Sequence, residues 1–225
     1  MKRYDTIDRL KDNKSLLGEE IWAFNKLDGQ NLGVKFNART KQFTDFTSRN
    51  CNVDETHEQF GGAVRFFKEN YEENLRNVLK TNSSKGKLFQ GVEEITLFFE
   101  WYGNQSFAGF HVEGDEMHLA LIDVFLKKKG YIEPKPYYEI FSKLDWLEIP
   151  ELVYKGKLNM EFANSIVNND PTKPDCQYPC VKEGVVCRRS TMLKGQVMPK
   201  CKIKTQWWLD ELHRRHTPEE CKLLE

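Results

Sequence analysis

The sequence of 225 residues predicts an α+β fold in a single domain spanning residues 1–225. Stretches 92–103 and 118–125 are rich in β-branched and aromatic residues, which is typical of buried strands. Between residues 54 and 79, apolar residues recur every three or four positions, and this spacing predicts a helix with one apolar face. No change in composition along the chain marks a second domain.

The overall composition excludes several classes of protein. Hydrophobic residues make up 39% and charged residues 30% of the chain, as in globular proteins. With 34 basic and 34 acidic residues, the net charge is zero, so a non-specific nucleic-acid binder is not indicated, although a local basic groove stays open. No apolar run is long enough to cross a membrane and no apolar signal segment begins the chain, so we expect a cytoplasmic protein. The six cysteines are expected to be free thiols and not a disulfide framework, because the chain has no signal segment. Their spacing also matches no zinc pattern.

The stretch from Trp22 to Phe36 is the centre of the functional interpretation. Apolar residues flank Lys26, and Asp28-Gly29 is a strong turn signal, so we predict two short strands that meet at a tight turn. A lysine held at the mouth of a pocket loses solvent, which lowers its pKa and makes the neutral amine a nucleophile. The alternative is a surface hairpin with one solvated lysine.

The remaining elements are predicted as short segments of one type each. Further strands are expected at 42–49, 148–154, 181–188 and 200–204. Helices are expected in part of 1–20, at 137–147 and 159–168, and from residue 207 onwards. Glu100 and Asp123 lie within the two apolar strands, and buried acids are rare unless paired, so both are candidate functional residues. Asp123 is equally well explained as a buried structural acid bonded to backbone amides.

Several short motifs then follow one another in a consistent order. They are Lys26-x-Asp28-Gly29, Arg49 after a strand, Glu100-Trp101-Tyr102-Gly103, Asp123 in a strand, Glu183-Gly184-Val185-Val186 and Lys202-x-Lys204. This series, from Trp22 to Lys204, resembles the covalent nucleotidyltransferase superfamily, which contains ATP-dependent DNA ligases, RNA ligases and mRNA capping enzymes. The resemblance implies an ATP-grasp-like ligase adenylation domain, with antiparallel sheets flanked by helices and ATP between them.

The resemblance also implies a role for each matching residue. Catalysis would rest on Lys26, which becomes covalently attached to AMP, and on Glu183, Lys202 and Lys204. The nucleotide site would comprise Lys26, Asp28, Gly29, Asn31, Arg49, Glu100, Ile122, Glu183, Lys202 and Lys204. Mg²⁺ would be held by Glu183, with Asp123 or Glu100 as helpers, because magnesium takes carboxylate and phosphate oxygens. Lys202 and Lys204 would hold the α-phosphate oxygens where negative charge develops.

Within the superfamily, the sequence most resembles the RNA ligase 2 and editing ligase group. Asn31 after the turn and the segment Thr47-Ser48-Arg49-Asn50 carry that resemblance, whereas Ile122 stands where the group commonly has an aromatic residue. Lys200 and Lys202 form a second Lys-x-Lys pair, so the last motif has two alignments, of which we favour Lys202 and Lys204.

The resulting hypothesis is an ATP-dependent RNA ligase that joins 5′-phosphate and 3′-hydroxyl ends through a lysyl-AMP and an adenylated 5′ end. We expect a monomer without a C-terminal OB-fold domain, acting on RNA in a nicked duplex or an RNA/DNA hybrid, with a separate nucleic-acid-binding partner as one option. The alternatives are a minimal ATP-dependent DNA nick ligase and an inactive nucleotide- or nucleic-acid-binding module. A role for the cysteines is not expected.

Overall fold

The computed structural model describes residues 2–103, 114, 116–192 and 198–224. The strands of this part are β1 (Glu20–Lys26), β2 (Gln30–Asn37), β3 (Gln42–Thr47), β4 (Asn52–Val53), β5 (Glu94–Gly103), β6 (Met117–Leu126), β7 (Gly130–Tyr131), β8 (Leu152–Lys157), β9 (Gly184–Arg189) and β10 (Lys200–Lys204). The helices are α1 (Gly61–Asn70), α2 (Glu72–Asn82), α3 (Pro134–Phe141), α4 (Met160–Val167), α5 (Gln206–Arg215) and α6 (Pro218–Leu224).

The strands form two antiparallel sheets. The six-stranded sheet has the order β4-β3-β2-β5-β6-β7, and the four-stranded sheet has the order β10-β9-β1-β8. Helices α1 and α2 pack on the six-stranded sheet, and α4 packs on β9 and β10 of the other. The main core also includes Trp22 and Phe24 from the four-stranded sheet, so the two sheets share apolar contacts. The predicted α+β class, with antiparallel sheets flanked by helices, is confirmed.

The predicted hairpin around Lys26 is wrong, although both of its strands are present. β1 pairs with β8 and β9, whereas β2 pairs with β3 and β5 in the other sheet. The Lys-x-Asp-Gly turn therefore carries the chain from one sheet to the other. Its glycine is required by space, since a Cβ on Gly29 would lie 2.4 Å from the carbonyl oxygen of Trp101.

The helices differ from their predicted bounds in three places. The helix expected over 54–79 begins at Gly61 and is divided at Tyr71, where φ is −118°. Its apolar face nevertheless continues across the break, because Phe67, Tyr71 and Leu75 are all buried. Residues 2–19 contain no helix; part of this segment instead runs beside β10, where Arg9 and Lys202 form a parallel bridge. The helix expected over 137–147 begins earlier, because prolines occupy its first turn from Pro134.

Two smaller predictions can also be compared with the structure. All six cysteines are free thiols, as expected. No helix within the described ranges is long and apolar enough to cross a membrane.

Candidate active site

Three strand ends of the four-stranded sheet meet at one point. β1 ends at Lys26, β9 begins at Gly184 and β10 ends at Lys204, and Gly184 is the register partner of both lysines. Gly184 has a φ of +150°, and a Cβ there would lie 2.0 Å from the carbonyl oxygen of Ile203. Only glycine permits β9 and β10 to approach this closely at residue 184. The preceding residue, Glu183, therefore lies at the strand ends, with its side chain between the two lysines.

The Glu183 carboxylate bridges two ammonium groups. Its Oε2 accepts a hydrogen bond from Lys26 Nζ at 2.7 Å, and its Oε1 lies 3.1 Å from Lys204 Nζ. Glu183 is 3% exposed, so these charges interact with little solvent screening. Thr205 holds the supporting backbone, because its N–H donates to the Glu183 carbonyl and its hydroxyl donates to the Lys182 carbonyl. The cluster is therefore fixed by the backbone of two strands and a loop.

The protonation of Lys26 differs from the expectation. Burial acts to lower the pKa of Lys26, but the carboxylates of Glu183, Glu100 and Asp28 together outweigh it, and the pKa is raised above the usual lysine value. In this state Lys26 is an ammonium ion. The two other lysines behave differently, since burial lowers the pKa of Lys204 to about 8 and also lowers that of Lys202.

A cavity of about 760 Å³ opens beside this cluster, with walls from both sheets. All ten residues predicted for the nucleotide site contribute to its walls: Lys26, Asp28, Gly29, Asn31, Arg49, Glu100, Ile122, Glu183, Lys202 and Lys204. Its size is within the range of small-molecule sites. The sequence motifs, which are spread over most of the chain, are thus brought together around one cavity.

Glu100 and Asn31 occupy neighbouring strands of the six-stranded sheet. They are register partners across β5 and β2, and the Asn31 amide donates to the Phe99 carbonyl at 3.1 Å. Burial raises the pKa of Glu100 to about 7, with Glu183 and Asp28 acting in the same direction and Lys26 and Arg49 against it. Near neutral pH this carboxyl therefore exists in both forms and is able either to donate or to accept a hydrogen bond.

Another part of the cavity wall is apolar except for one buried arginine. Phe24, Ile122 and Val186 contribute apolar side chains, and Tyr4 contributes a ring from the N-terminal segment. Arg188 is 2% exposed, and its Nη2 donates to the Ile132 carbonyl at 2.9 Å. Among the described residues, neither its Nε nor its Nη1 has a hydrogen-bond partner. Both nitrogens are themselves shielded from solvent, and the guanidinium lies over the rings of Phe24 and Tyr137, so Arg188 is enclosed within the wall.

The matches to known proteins agree with this architecture. The family model described as RNA ligase matches residues 19–204. The chain belongs to the RNA ligase family. The family predicted from the motifs is therefore confirmed. No curated protein sequence is similar enough to count as a match.

Several solved structures share the fold with this RNA ligase family member. One is a Naegleria gruberi RNA ligase mutant with AMP and Mn, with a TM-score of 0.64 and 15% identity, covering 95% of this chain and 58% of that one. Another is the same organism's RNA ligase with PPi, with a TM-score of 0.64 and 16% identity, covering 96% and 59%. A mutant with ATP and Mn has a TM-score of 0.63 and 14% identity, covering 95% and 58%. The chain thus spans less than three fifths of the length of these proteins.

Asp123, predicted to help hold the metal ion, lies elsewhere in this RNA ligase family member. It is fully buried and is absent from the cavity walls. Its Oδ1 lies 3.0 Å from Arg188, its Oδ2 contacts Lys200 Nζ, and the Tyr4 hydroxyl donates to Oδ2 at 3.4 Å. These contacts are those of a structural acid, although they come from side chains; of the backbone amides that the alternative interpretation expected, that of Val124 donates to Oδ1 at 2.9 Å. They also favour the pair Lys202 and Lys204 for the last motif, because Lys200 contacts Asp123 whereas Lys202 and Lys204 line the cavity.

The carboxylates that line the cavity fit a metal ion that binds together with a nucleotide. Asp28, Glu100 and Glu183 line the cavity. Within the described part of the chain, no group of three or more His, Cys, Asp or Glu side chains is arranged to hold a metal on its own. Magnesium in nucleotide sites is commonly held by one or two carboxylates, with substrate phosphates and water completing the shell. The donor set therefore suits Mg²⁺ bound together with a nucleotide.

Sequence reasoning missed further residues on the cavity wall, among them Tyr4, Arg188 and Trp208. Tyr4 lies in a segment without a clear pattern, and its position depends on contacts with distant strands. Arg188 interrupts an apolar strand, which is a signal of a buried and paired cation. Trp208 is buried in the core, yet it also lines the cavity.

Proposed function

We propose that this chain is an ATP-dependent RNA ligase that joins 5′-phosphate and 3′-hydroxyl ends through a lysyl-AMP and an adenylated 5′ end. The observation that carries the proposal is the cluster of Lys26, Glu183 and Lys204 on the wall of a cavity of nucleotide size. The Naegleria structures with ATP, AMP or PPi support the same use of the fold.

In the first step, the neutral amine of Lys26 attacks the α-phosphorus of ATP. A nitrogen–phosphorus bond forms, the bond to the bridging oxygen breaks, and its electron pair leaves with pyrophosphate. Lys202 and Lys204 lie on the same wall and would hold the phosphate oxygens where negative charge builds up. Little other covalent chemistry is needed, because such transfers depend mainly on positioning and electrostatics.

Lys26 must lose a proton before it attacks, and the site contains the means to control this. Glu183, through its charge and its hydrogen bond, is the strongest of the groups that hold the proton on Lys26. When Lys26 no longer contacts that carboxylate, fewer groups oppose the effect of burial, so the pKa of Lys26 falls and its proton passes to water in the cavity. Glu183 is also the residue that would hold Mg²⁺, with Glu100 nearby, and the cation would neutralise charge on the pyrophosphate.

The rest of the nucleotide has a matching surface in the cavity. The adenine would pack on the apolar wall formed by Phe24, Ile122 and Val186. Glu100 would bind the ribose, a role that its mixed protonation near pH 7 allows. Arg49 is exposed and lines the same cavity, so it is a candidate contact for the polynucleotide phosphate.

The test is transfer of label from ATP labelled at the α-phosphate, in the presence of Mg²⁺ or Mn²⁺, to protein that is then denatured. The wild type should retain the label and Lys26→Ala should not. Label on Lys26→Ala would contradict the assignment of the nucleophile. No label with any nucleotide, from protein shown to be free of bound AMP, would favour the binding-module alternative.

The polynucleotide is tested separately with nicked duplexes. We expect sealing when the 3′-hydroxyl strand ends in ribonucleotides and a large loss when it ends in deoxyribonucleotides, since the 2′-hydroxyl distinguishes RNA from DNA. Equal sealing of both nicks would favour the DNA nick ligase alternative. Labelling by GTP in place of ATP would instead indicate the capping branch of the superfamily.

A further inference from the structure

Trp208 connects the C-terminal helices to the candidate active site. It lies in the first turn of α5, where its N–H donates to the Thr205 hydroxyl that caps the helix. The side chain is 2% exposed and packs with Leu212 and Cys221. The face of its ring also points to the neighbouring strand, with Lys204 Nζ 3.7 Å from the ring centroid. Trp208 therefore belongs both to a small apolar cluster and to the cavity wall.

Lys204 thus has two partners of different kinds. Its ammonium lies 3.1 Å from the Glu183 carboxylate and over the indole ring of Trp208. The Glu183 carboxylate is shared, since it also accepts a hydrogen bond from Lys26 and would hold the metal ion in the proposed reaction. An indole face attracts a cation through its quadrupole and has no carboxylate to compete for a metal ion. The ring is therefore the partner that can stay in place while Glu183 changes its contacts.

We propose that Trp208 is a positioning residue for lysine adenylylation, in that its ring holds the Lys204 ammonium against the cavity wall where the α-phosphate oxygens bind. This inference rests on the proposed function of the site. The interaction acts on the chemical step, because Lys204 would stabilise charge that develops as pyrophosphate leaves. The contact between Trp208 and Lys204 should affect the affinity for ATP less than the rate, because the affinity depends on the whole cavity.

The chain offers a matched control for the loss of packing. Trp207 precedes Trp208 in the same helix and packs against the same small cluster, but it is not on the cavity wall. Trp207→Leu therefore removes an indole from α5 without touching Lys204. Trp208→Phe keeps an aromatic face, and Trp208→Leu removes it, so the pair separates ring electrostatics from apolar volume.

The experiment measures the rate of Lys26 labelling in single turnovers across a range of ATP concentrations. For Trp208→Leu we expect the maximal rate to fall roughly tenfold while the apparent ATP affinity changes less than about threefold, within the range of a desolvated cation–π contact. Trp208→Phe should recover most of the rate, and Trp207→Leu should match the wild type. Equal rates for Trp208→Leu and wild type, or equal losses in the Leu and Phe variants, would overturn the proposal.

A double-mutant cycle with Lys204→Ala tests whether Trp208 acts through the lysine. If it does, Trp208→Leu should hardly lower the labelling rate further in a protein that already carries Lys204→Ala. If the double variant instead loses rate by the product of the two single losses, Trp208 only supports the fold. Melting temperatures are recorded for every variant, and Trp208→Met, which also lacks an aromatic face, replaces Trp208→Leu in the cycle if the latter unfolds. An unlabelled wild type would reject the proposed function itself, whereas a labelled wild type with a Trp208-independent rate would reject only this inference.

Discussion

Replacement of Asp123 by asparagine should destabilise the protein strongly, because it removes one charge from a buried network and changes little else. The carboxylate is fully buried, lies 3.0 Å from Arg188 and also contacts Lys200. Breaking a buried ion pair costs about 3–5 kcal/mol. Burial already lowers the pKa of Lys200 to about 8, so that lysine can lose its proton in the variant, whereas Arg188 cannot. The free energy of unfolding of the variant is therefore expected to fall by about 3 kcal/mol, the lower end of the range for a broken buried ion pair.

This loss is measurable by thermal and urea unfolding at pH 7. A change of about 3 kcal/mol corresponds to a melting temperature roughly 6–12 °C lower for a chain of this length. The control is Glu93→Gln, which breaks the exposed pair with Arg39, whose two side chains are 76% and 45% exposed. That variant should lose less than about 1 kcal/mol.

Two results would refute the reasoning on Asp123. A loss below about 1 kcal/mol would mean that the network is not held by this charge. Normal stability together with a higher Mg²⁺ requirement for labelling would restore Asp123 as a metal ligand. We expect the opposite pattern, in which the folded variant at low temperature keeps the Mg²⁺ dependence of the wild type.

Three further substitutions test separate parts of the account. The pKa of Glu100 is raised to about 7, so the protonated carboxyl contributes fully to stability below the unfolded value of 4.5, and this contribution is lost as the pH rises through 7. The free energy of unfolding of Glu100→Gln, which has no charge to bury, should therefore exceed that of the wild type by roughly 1–3 kcal/mol at pH 8 and equal it at pH 4. Gly184→Ala should cost at least about 3 kcal/mol by chemical denaturation, since its Cβ would meet backbone, whereas Gly86→Ala, with open space around it, should cost about 1 kcal/mol. Thr205→Ala should cost about 1–2 kcal/mol and slow Lys26 labelling, because the helix cap and the Lys182 bond are lost together. An unchanged pH profile, equal glycine costs or a neutral Thr205→Ala would contradict the respective argument.

The sequence was most informative where function depends on residue type in a short segment. Lys26, Glu183, Lys202 and Lys204 all lie on the cavity walls, as their motifs indicated. Strand identity was likewise predictable, because period-two patterns and β-branched residues act locally. Strand partners were not, and β1 and β2 therefore belong to different sheets although the turn between them resembles a hairpin.

The charge state of the site could not be predicted from the sequence. Desolvation of Lys26 was expected to lower its pKa, but Glu183, 157 residues away in the chain, together with Glu100 and Asp28 reverses the direction. The structural role of Asp123 likewise depends on Arg188 and Lys200, which lie on other strands. Such effects are set by long-range packing, which a single sequence does not reveal.

The central claim is that Lys26 becomes covalently linked to AMP, and it is tested most directly by mass spectrometry of the peptide that contains this residue. After incubation with ATP and Mg²⁺, the account predicts AMP attached through nitrogen to Lys26 and lost from Lys26→Arg. AMP on another lysine, such as Lys202 or Lys204, or an unmodified Lys26 peptide from protein that ligates RNA, would contradict it.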